Sequence, residues 1–288
     1  MSTAKTILKL SPLLMPFGVL FVGGFLVAVL QSFGYLLPIP WEHEHFYSAY
    51  AAAFTPAVLE SLFMSLMVAF VSAFCSVWIG AVFAWGIFSL PQRLRPYTVV
   101  YKISLVLPHI AVGFVVLVLF SQSGFFSSVL YQLGVIKSAE GFPSFLYNGY
   151  GTGMILAYLY KEIPFVIMLV YAVLLRFDMK QVVVAKMLGA SGPTIFFRIV
   201  LPHLRGVMNT AFIILFLFTF GAFDIPFLLG ESRPAMLSIQ VFSMYFEGEL
   251  SERPLAMAIL VMMFLFSAVF IMAYTHIASR LGKEGRKV

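Results

Sequence analysis

Residues 212–220 read FIILFLFTF, and this unbroken apolar run decides the fold class. A strand of a membrane barrel would alternate polar and apolar side chains over segments of about ten residues. This run does not alternate, and it lies in a stretch of the roughly 20 residues that a helix needs to cross a bilayer. Six such stretches occur, at residues 11–34, 57–90, 99–121, 150–176, 207–230 and 255–277. The sequence therefore predicts an all-α integral membrane protein with six transmembrane helices.

The composition of the chain agrees with this class. Of its 288 residues, 61% are hydrophobic and 10% are charged, and the mean hydropathy is +1.00. A soluble protein of this length needs far more charge on its surface. Residues 1–288 are predicted to form a single transmembrane domain. In the connections 122–149 and 231–254, apolar positions recur at helical spacing, which predicts short helices there.

Lys and Arg residues are distributed unevenly between the two sides that six spans define. One side carries 14, in the N-terminus, the loops near 91–102 and 176–206, and the C-terminal tail. The other side carries only Lys137, Arg233 and Arg253, and Lys161 lies inside a span. Short loops rich in Lys and Arg stay in the cytoplasm. Both termini are therefore expected in the cytoplasm. The net charge of +6 is explained by Lys and Arg in the cytoplasmic loops and does not indicate a nucleic-acid-binding surface.

The loop between the fourth and fifth spans, residues 178–206, has the pattern of helix, break and helix. Val183, Val184, Met187 and Leu188 recur at the spacing of one helical face. Gly189 and the following SGP interrupt the pattern. Pro193 suits the first turn of a second helix, because the N–H that proline lacks would be unpaired there. The loop is predicted to present a short apolar helix that fits a groove on a partner.

Residues 183–202, VVAKMLGASGPTIFFRIVLP, carry the spacing G-A-x5-F-x2-I-x-L-P. This spacing resembles the EAA loop of the permease subunits of binding-protein-dependent ATP-binding-cassette (ABC) importers. The resemblance implies the type I (MetI-like) permease fold and a loop that couples the permease to its ATPase. The family pattern begins with Glu-Ala-Ala, whereas this chain has Val183, Val184 and Ala185, so the usual glutamate is absent. The coupling residues implied are Val184, Ala185, Leu188, Gly189, Ala190, Phe196, Ile199, Leu201 and Pro202.

Ionisable side chains inside spans are costly and are functional candidates by default. Lys161 and Glu162 fall near the middle of the fourth span, His109 near the middle of the third, and Asp224 in the outer half of the fifth. Adjacent residues on a helix point in different directions, so Lys161 and Glu162 are expected to bond to different partners. Two interpretations stay open: a structural pair such as Lys161 with Asp224, or side chains that line an aqueous pathway. Phe220 is a further pathway candidate, because an aromatic ring can hold a cationic solute.

Enzymatic and metal-binding patterns are missing from the sequence. It has no G-x4-G-K-[ST] phosphate loop, no H-E-x-x-H, no G-x-S-x-G and a single cysteine. The segment WEHEH at 41–45 has no second cluster that would complete a metal site. We therefore predict that the chain is not an enzyme and binds no metal or cofactor. The resemblance places ATP and Mg²⁺ in a partner ATPase.

The resemblance further implies that the chain forms half of a translocation pathway in the bacterial cytoplasmic (inner) membrane, as a multi-pass protein. Its partners would be two ATP-binding-cassette subunits, a second permease and an external solute-binding protein. For the second permease, a different chain is favoured over a second copy of this one. The segments YLYKEIPFV and FGAFDIPFLLG resemble permeases of the polyamine, ferric iron and thiamine group, and a polyamine is favoured. The alternatives are an ion-coupled secondary transporter that acts without an ATPase, and a membrane scaffold.

Overall fold

The computed structural model describes residues 3–37, 45 and 47–284. Throughout that part of the chain the regular structure is helical and no strand occurs. Among the described residues, six helices are long and apolar enough to cross a membrane, as the sequence predicts: Lys9–Ser32, Pro56–Ser89, His109–Gln132, Thr152–Leu174, Gly192–Gly221 and Leu250–Ala278. The all-α, six-helix prediction is therefore confirmed.

In chain order, the α-helices of the N-terminal half are α1 (Thr3–Pro16), α2 (Gly23–Ser32), α3 (Ser48–Ala52), α4 (Pro56–Ser89), α5 (Ile103–Val106), α6 (His109–Phe120) and α7 (Phe125–Gln132). Those that follow are α8 (Thr152–Leu174), α9 (Lys180–Met187), α10 (Gly192–Ile195), α11 (Leu201–Gly221), α12 (Asp224–Leu229), α13 (Leu237–Phe242) and α14 (Arg253–Glu284). Helices α7 and α13 fall in the two connections for which short helices are predicted. A 3₁₀-helix, Arg95–Lys102, precedes α5, and π-helical turns at Phe17–Val22 and Phe196–Val200 join α1 to α2 and α10 to α11.

The third span differs from its predicted bounds of 99–121, since its helix α6 begins only at His109. Leu107 is extended, with ψ of 135°, because a residue before proline is driven out of the helical region. Pro108 also lacks the N–H that would continue the ladder from α5. His109 is therefore at the start of a helix, and the expectation that it lies mid-span is wrong.

The fifth span also differs from its predicted bounds of 207–230. Its helix begins at Gly192 and runs to Gly221 without interruption, so the second helix of the loop continues directly into the membrane span. Pro202 removes one N–H from this helix, and the π-helical turn before it accommodates the loss, with the Leu201 N–H bonded to the Phe196 carbonyl. At the other end Ala222 is extended, because Pro226 cannot donate back to it, and α12 begins separately at Asp224.

Two compact units make up the chain. The first combines Met1–Ser61 with Leu237–Val288. Within it, α14 packs along α2 and also contacts α3 and α13. The rings of Phe25 and Phe264 lie 4.3 Å apart, and the hydroxyls of Ser32 and Tyr50 share a hydrogen bond of 2.7 Å. The ring contact joins the N-terminal span to the C-terminal one, and the hydrogen bond joins α3 to the N-terminal span.

The second unit is Leu62–Met236, and α8 is its central helix. It packs against α5, α6, α11 and α12. Several small side chains of α4 are buried: Ser72, Ala73, Ser76, Ala81 and Ala84. At Gly80 a Cβ atom would lie only 2.6 Å from the Val166 Cβ of α8. Small residues allow two membrane helices to approach closely, and this approach brings the polar residues of α8 within reach of α4.

Candidate functional site

Lys161 is buried, and its ammonium bonds to the chain where the third span is broken. Its Nζ donates to the carbonyl oxygens of Ser104 at 2.9 Å, Leu107 at 2.6 Å and Leu105 at 3.4 Å. These carbonyls lack helical partners because α5 ends at Val106 and Pro108 has no N–H. An ammonium group has three donors and no acceptor. Lys161 therefore supplies the hydrogen bonds that the break removes.

Glu162 bonds in a different direction, to two other spans. Its Oε2 accepts a hydrogen bond of 2.8 Å from the Ser76 Oγ of α4. Its Oε1 accepts one of 2.7 Å from the Thr219 Oγ1 of α11. The side chain is only 3% exposed, and a buried carboxylate is tolerated when hydrogen bonds replace its lost hydration. Glu162 thereby joins α4, α8 and α11 through one carboxyl group.

The expectation that Lys161 and Glu162 bond to different partners is confirmed. The suggested pair of Lys161 with Asp224 is wrong, since the three polar contacts of the Lys161 ammonium in the described chain are carbonyl oxygens. Asp224 is exposed at the first residue of α12. The break at Ala222 separates α12 from α11, and the sequence gives no sign of where that short helix points.

A cavity of about 260 Å³ lies beside these two residues. It is lined by Leu105, His109, Lys161, Glu162, Phe165, Ile214, Leu215 and Phe218. Three of the five predicted pathway residues, namely His109, Lys161 and Glu162, are thus brought together. The ring of His109 also contacts that of Phe218, with centroids 5.0 Å apart.

The other two predicted pathway residues are elsewhere. Phe220 is 1% exposed and stacks on Phe216 in the helical core, with centroids 6.2 Å apart. Asp224 is exposed on α12, and neither residue lines the cavity. Phe165 and Phe218, which line the cavity, are not among the predicted residues, although helical spacing offered a signal. Phe165 lies one turn after Lys161 and therefore faces the same way.

Tyr158 is a third residue of interest that is absent from the sequence predictions. It lies one turn before Glu162 on α8, and its side chain is fully buried. Its hydroxyl has no hydrogen-bond partner among the described residues. Leaving a buried polar group unpaired costs about 1–3 kcal/mol, so this hydroxyl is a candidate for a group that bonds in another state of the protein.

At the far end of the unit, α9 ends in a Schellman motif that explains Gly189. The Ala190 N–H bonds to the Ala185 carbonyl at 2.9 Å, and the Gly189 N–H bonds to the Lys186 carbonyl at 3.0 Å. Gly189 has φ of +80°, a conformation that favours glycine. A Cβ atom at Gly189 would meet nothing within 4 Å. Glycine is therefore favoured at this position by the positive φ. No neighbouring atom of the described chain lies close enough to exclude a larger side chain.

The apolar face predicted for α9 is exposed. Met187 and Leu188 are 80% and 83% exposed, and Val183 and Val184 on the same helix are also exposed. Ala185 is buried and faces the unit. We call Val183, Val184, Met187 and Leu188 the α9 ridge. Its four apolar side chains are left uncovered by the described chain.

The helix after the break starts as predicted. The Ser191 Oγ accepts from the Thr194 N–H at 3.5 Å, which caps α10, and Pro193 is in the first turn. Of the remaining matched positions, Phe196 is buried, Pro202 is exposed, and Ala190, Ile199 and Leu201 are intermediate. Of the nine predicted coupling residues, Ala185 and Phe196 are buried within the unit. Val184, Leu188, Gly189 and Pro202 are exposed, so a partner can reach them.

Some predictions fall on parts of the chain outside the described residues. They include residues 41–44 of the WEHEH segment and the last basic residues, Arg286 and Lys287. In residues 3–37, 45 and 47–284, no group of three His, Cys, Asp or Glu side chains is arranged to hold a metal ion.

Residues 76–283 match the family described as binding-protein-dependent transport system inner membrane component. The spermidine/putrescine transport system permease protein PotB of Salmonella typhimurium (strain SL1344) is 26% identical over 192 residues, which are 65% of this chain and 64% of that protein. The chain thus spans under two thirds of that relative. Sulfate permease 2, chloroplastic, of Chlamydomonas reinhardtii is 29% identical over 52% of this chain and 38% of that protein.

Solved structures show the same fold at low sequence identity. A bacterial ABC transporter involved in the import of the acidic polysaccharide alginate has a chain with a TM-score of 0.78 at 16% identity, covering 96% of both chains. A chain of the MetNI methionine ABC transporter has a TM-score of 0.57 at 15% identity, covering 77% of this chain and 94% of that one. The family match extends from Ser76, which bonds to Glu162, through the α9 ridge and into α14. The predicted resemblance is confirmed, and the chain belongs to the family of binding-protein-dependent transport system inner membrane components.

Proposed function

We propose that this chain is the permease subunit of an ATP-driven importer in the bacterial inner membrane, where it forms half of the translocation pathway. The observation that carries the proposal is the exposed α9 ridge. Exposed Lys180 and Lys186 flank the ridge on the same helix, so it is poorly suited to the bilayer interior. Fully burying an aliphatic side chain of this size is worth about 1.5–3 kcal/mol. A ridge of four such residues favours docking into a groove on a partner.

The proposed occupant of the ridge is an ATP-binding-cassette subunit, which binds ATP and Mg²⁺. Two such subunits, a second and different permease chain, and an external solute-binding protein complete the proposed assembly. Loop 178–206 would transmit closure of the ATPases, because α10 continues as one helix into the fifth span. Movement at Ser191 is thereby passed to Thr219, which bonds to Glu162 beside the cavity. An ion-coupled transporter that acts alone does not need the exposed ridge.

The proposed solute is a polyamine or a similar small cation. The proposal rests on the PotB relatives, and the cavity adds a buried carboxylate, Glu162, with the aromatic rings of Phe165 and Phe218. Carboxylates and aromatic faces both attract cations. The charge of Lys161 is already engaged by three carbonyl oxygens. We therefore assign solute contact to Glu162, Phe165 and Phe218, and Phe220 is no longer required for it.

Co-purification and uptake test the proposal. Leu188→Asp should remove the ATPase from the purified complex and abolish ATP-dependent uptake of radiolabelled spermidine into membrane vesicles. The matched control is Leu133→Asp, since Leu133 is 71% exposed and lies in the connection 122–149. It should leave both measurements unchanged. Uptake that persists in Leu188→Asp, or that follows an ion gradient without ATP, would refute the coupling role. ATP-dependent uptake of sulfate but not spermidine would refute the proposed polyamine solute and leave the coupling role intact.

A further inference from the structure

A second cavity, of about 390 Å³, lies where α4 and α8 end in the second unit. Its volume is in the range of small-molecule sites. Its lining consists of Ile87, Arg95, Pro96, Thr98, Val99, Tyr101, Lys102 and Tyr171. The Phe88 and Tyr171 rings, 6.0 Å apart, join the two helix ends beside it. None of the residues that the transport proposal uses lines this cavity.

Arg95 is held rigidly beside this cavity and still has one donor group to spare. Its Nη2 donates to the Phe88 carbonyl at 2.7 Å and its Nε to the Leu90 carbonyl at 3.0 Å. Its guanidinium also lies 5.1 Å from the Phe88 ring centre. These contacts cap the end of α4 and fix the guanidinium plane. Nη1 has no hydrogen-bond partner in the described part of the chain, so it can bind a ligand oxygen.

Lys102 supplies the second positive charge. It is exposed, and its Nζ lies 6.0 Å from the ring centre of Tyr101. None of the eight described lining residues is acidic, so no carboxylate of the cavity wall offsets the two cations. A pair of cations without an internal counter-ion favours an anionic ligand.

Two phenol groups add neutral hydrogen-bond donors. Tyr101 and Tyr171 both line the cavity. Burial raises the pKa of the Tyr101 hydroxyl, and the neighbouring Tyr171 raises it further. The Tyr101 phenol therefore stays protonated at neutral pH and can donate to an anion. Together with Arg95 and Lys102, these hydroxyls provide donors from several directions, which suits the oxygens of a phosphate group.

Exposed apolar side chains continue from the cavity along the chain. Val99, Val100 and Ile103 are exposed, and Val106 is 84% exposed. They lie on the 3₁₀-helix and α5, between the end of α4 and the start of the third span. The segment lies between the candidate spans that end at Ser89 and begin at His109, and exposed apolar side chains next to a span are suited to contact acyl chains. A freely soluble phosphate would make no use of them.

We propose that this cavity binds the phosphate group of an anionic membrane lipid, with Arg95 and Lys102 on the phosphate oxygens and the acyl chains along Val100, Ile103 and Val106. Tyr101 and Tyr171 donate to the same phosphate. Basic sites between membrane helices are suited to lipid headgroups in this way. The site is separate from the transport cavity and does not depend on the identity of the solute.

The test measures lipid retention by the full chain in its native complex, using native mass spectrometry after exchange into detergent with phosphatidylglycerol or phosphatidylcholine. The wild type should retain phosphatidylglycerol in preference to phosphatidylcholine. Lys102→Ala should weaken phosphatidylglycerol binding about fivefold or more, the usual contribution of one basic residue near anionic lipid. Lys102→Arg should restore it. Arg93→Ala is the matched control, because Arg93 is exposed on the same loop but does not line the cavity.

Tyr171→Phe tests the hydroxyl without changing charge, and its ring can keep the contact with Phe88. It should weaken phosphatidylglycerol binding severalfold while the phosphatidylcholine count stays constant. Equal losses in Arg93→Ala and Lys102→Ala would show diffuse surface charge and overturn the site. Millimolar inorganic phosphate is the second probe, and it should displace little lipid. If inorganic phosphate displaced all of the lipid, the site would bind free phosphate and the proposal of a lipid ligand would be overturned.

Discussion

The Lys161 Nζ lies 2.6 Å from the carbonyl oxygen of Leu107, the extended residue at which the third span breaks. A charged group inside a span is thereby satisfied by the backbone that precedes a neighbouring span, and no acidic side chain of the described residues bonds to it. Helix termini leave carbonyls unpaired, and in a membrane water cannot satisfy them. The charge of Lys161 and the break before Pro108 therefore compensate for each other.

We predict that Lys161→Met destabilises the protein by about 2–4 kcal/mol, because it leaves three carbonyl oxygens of one buried site without a donor. Thermal unfolding in detergent, followed by the loss of monodisperse protein, measures the change. Lys137→Met is the control, since Lys137 is exposed and should be neutral. Equal unfolding temperatures for the two variants would contradict the structural role of Lys161.

Glu162→Gln should lower polyamine uptake at least tenfold while the complex still assembles. The amide keeps one acceptor for Ser76 or Thr219, but it removes the negative charge beside the cavity. Asp224→Asn is the informative comparison, because Asp224 is exposed and does not line the cavity. We expect it to lower uptake less. A larger effect from Asp224→Asn would place solute contact on α12 instead.

Gly189→Ala should destabilise the end of α9 by about 1 kcal/mol, because alanine is strained at the positive φ of a Schellman motif. Gly189→Asn should cost less, since asparagine tolerates this conformation better. Hydrogen exchange at the Ala190 amide, which bonds across the motif, reports the change. Gly192→Ala is the control, because Gly192 has ample space and no positive φ. If asparagine costs as much as alanine, backbone strain is not the cause.

Tyr158→Phe should leave the fold intact and raise its stability by about 1 kcal/mol, because it removes a buried hydroxyl without a partner. Thermal unfolding measures this gain, and Tyr160→Phe, on the same helix but exposed, is the control. A loss of uptake in the more stable Tyr158→Phe protein would show that the hydroxyl bonds in another state of the transport cycle. A loss of stability would instead reveal a partner in the resting protein.

The sequence by itself determined the membrane class, the number of spans and the apolar face of α9. These features depend on the length and period of apolar side chains, which are local properties of the chain. The pattern at Val183, Val184, Met187 and Leu188 was sufficient to predict the exposed ridge. The pattern also predicts that Gly189 ends the helix. It does not predict the positive φ that makes glycine favourable there.

Only the tertiary structure decided which neighbours the polar side chains meet. Glu162 was recognisable as a buried charge, but its partners Ser76 and Thr219 lie 86 and 57 residues away in the chain. The burial of Phe220 and the separation of Asp224 from the cavity likewise depend on how α11 packs and where it ends. The helical period determines which residues share a face, whereas the packing of helices against one another determines which residues that face contacts.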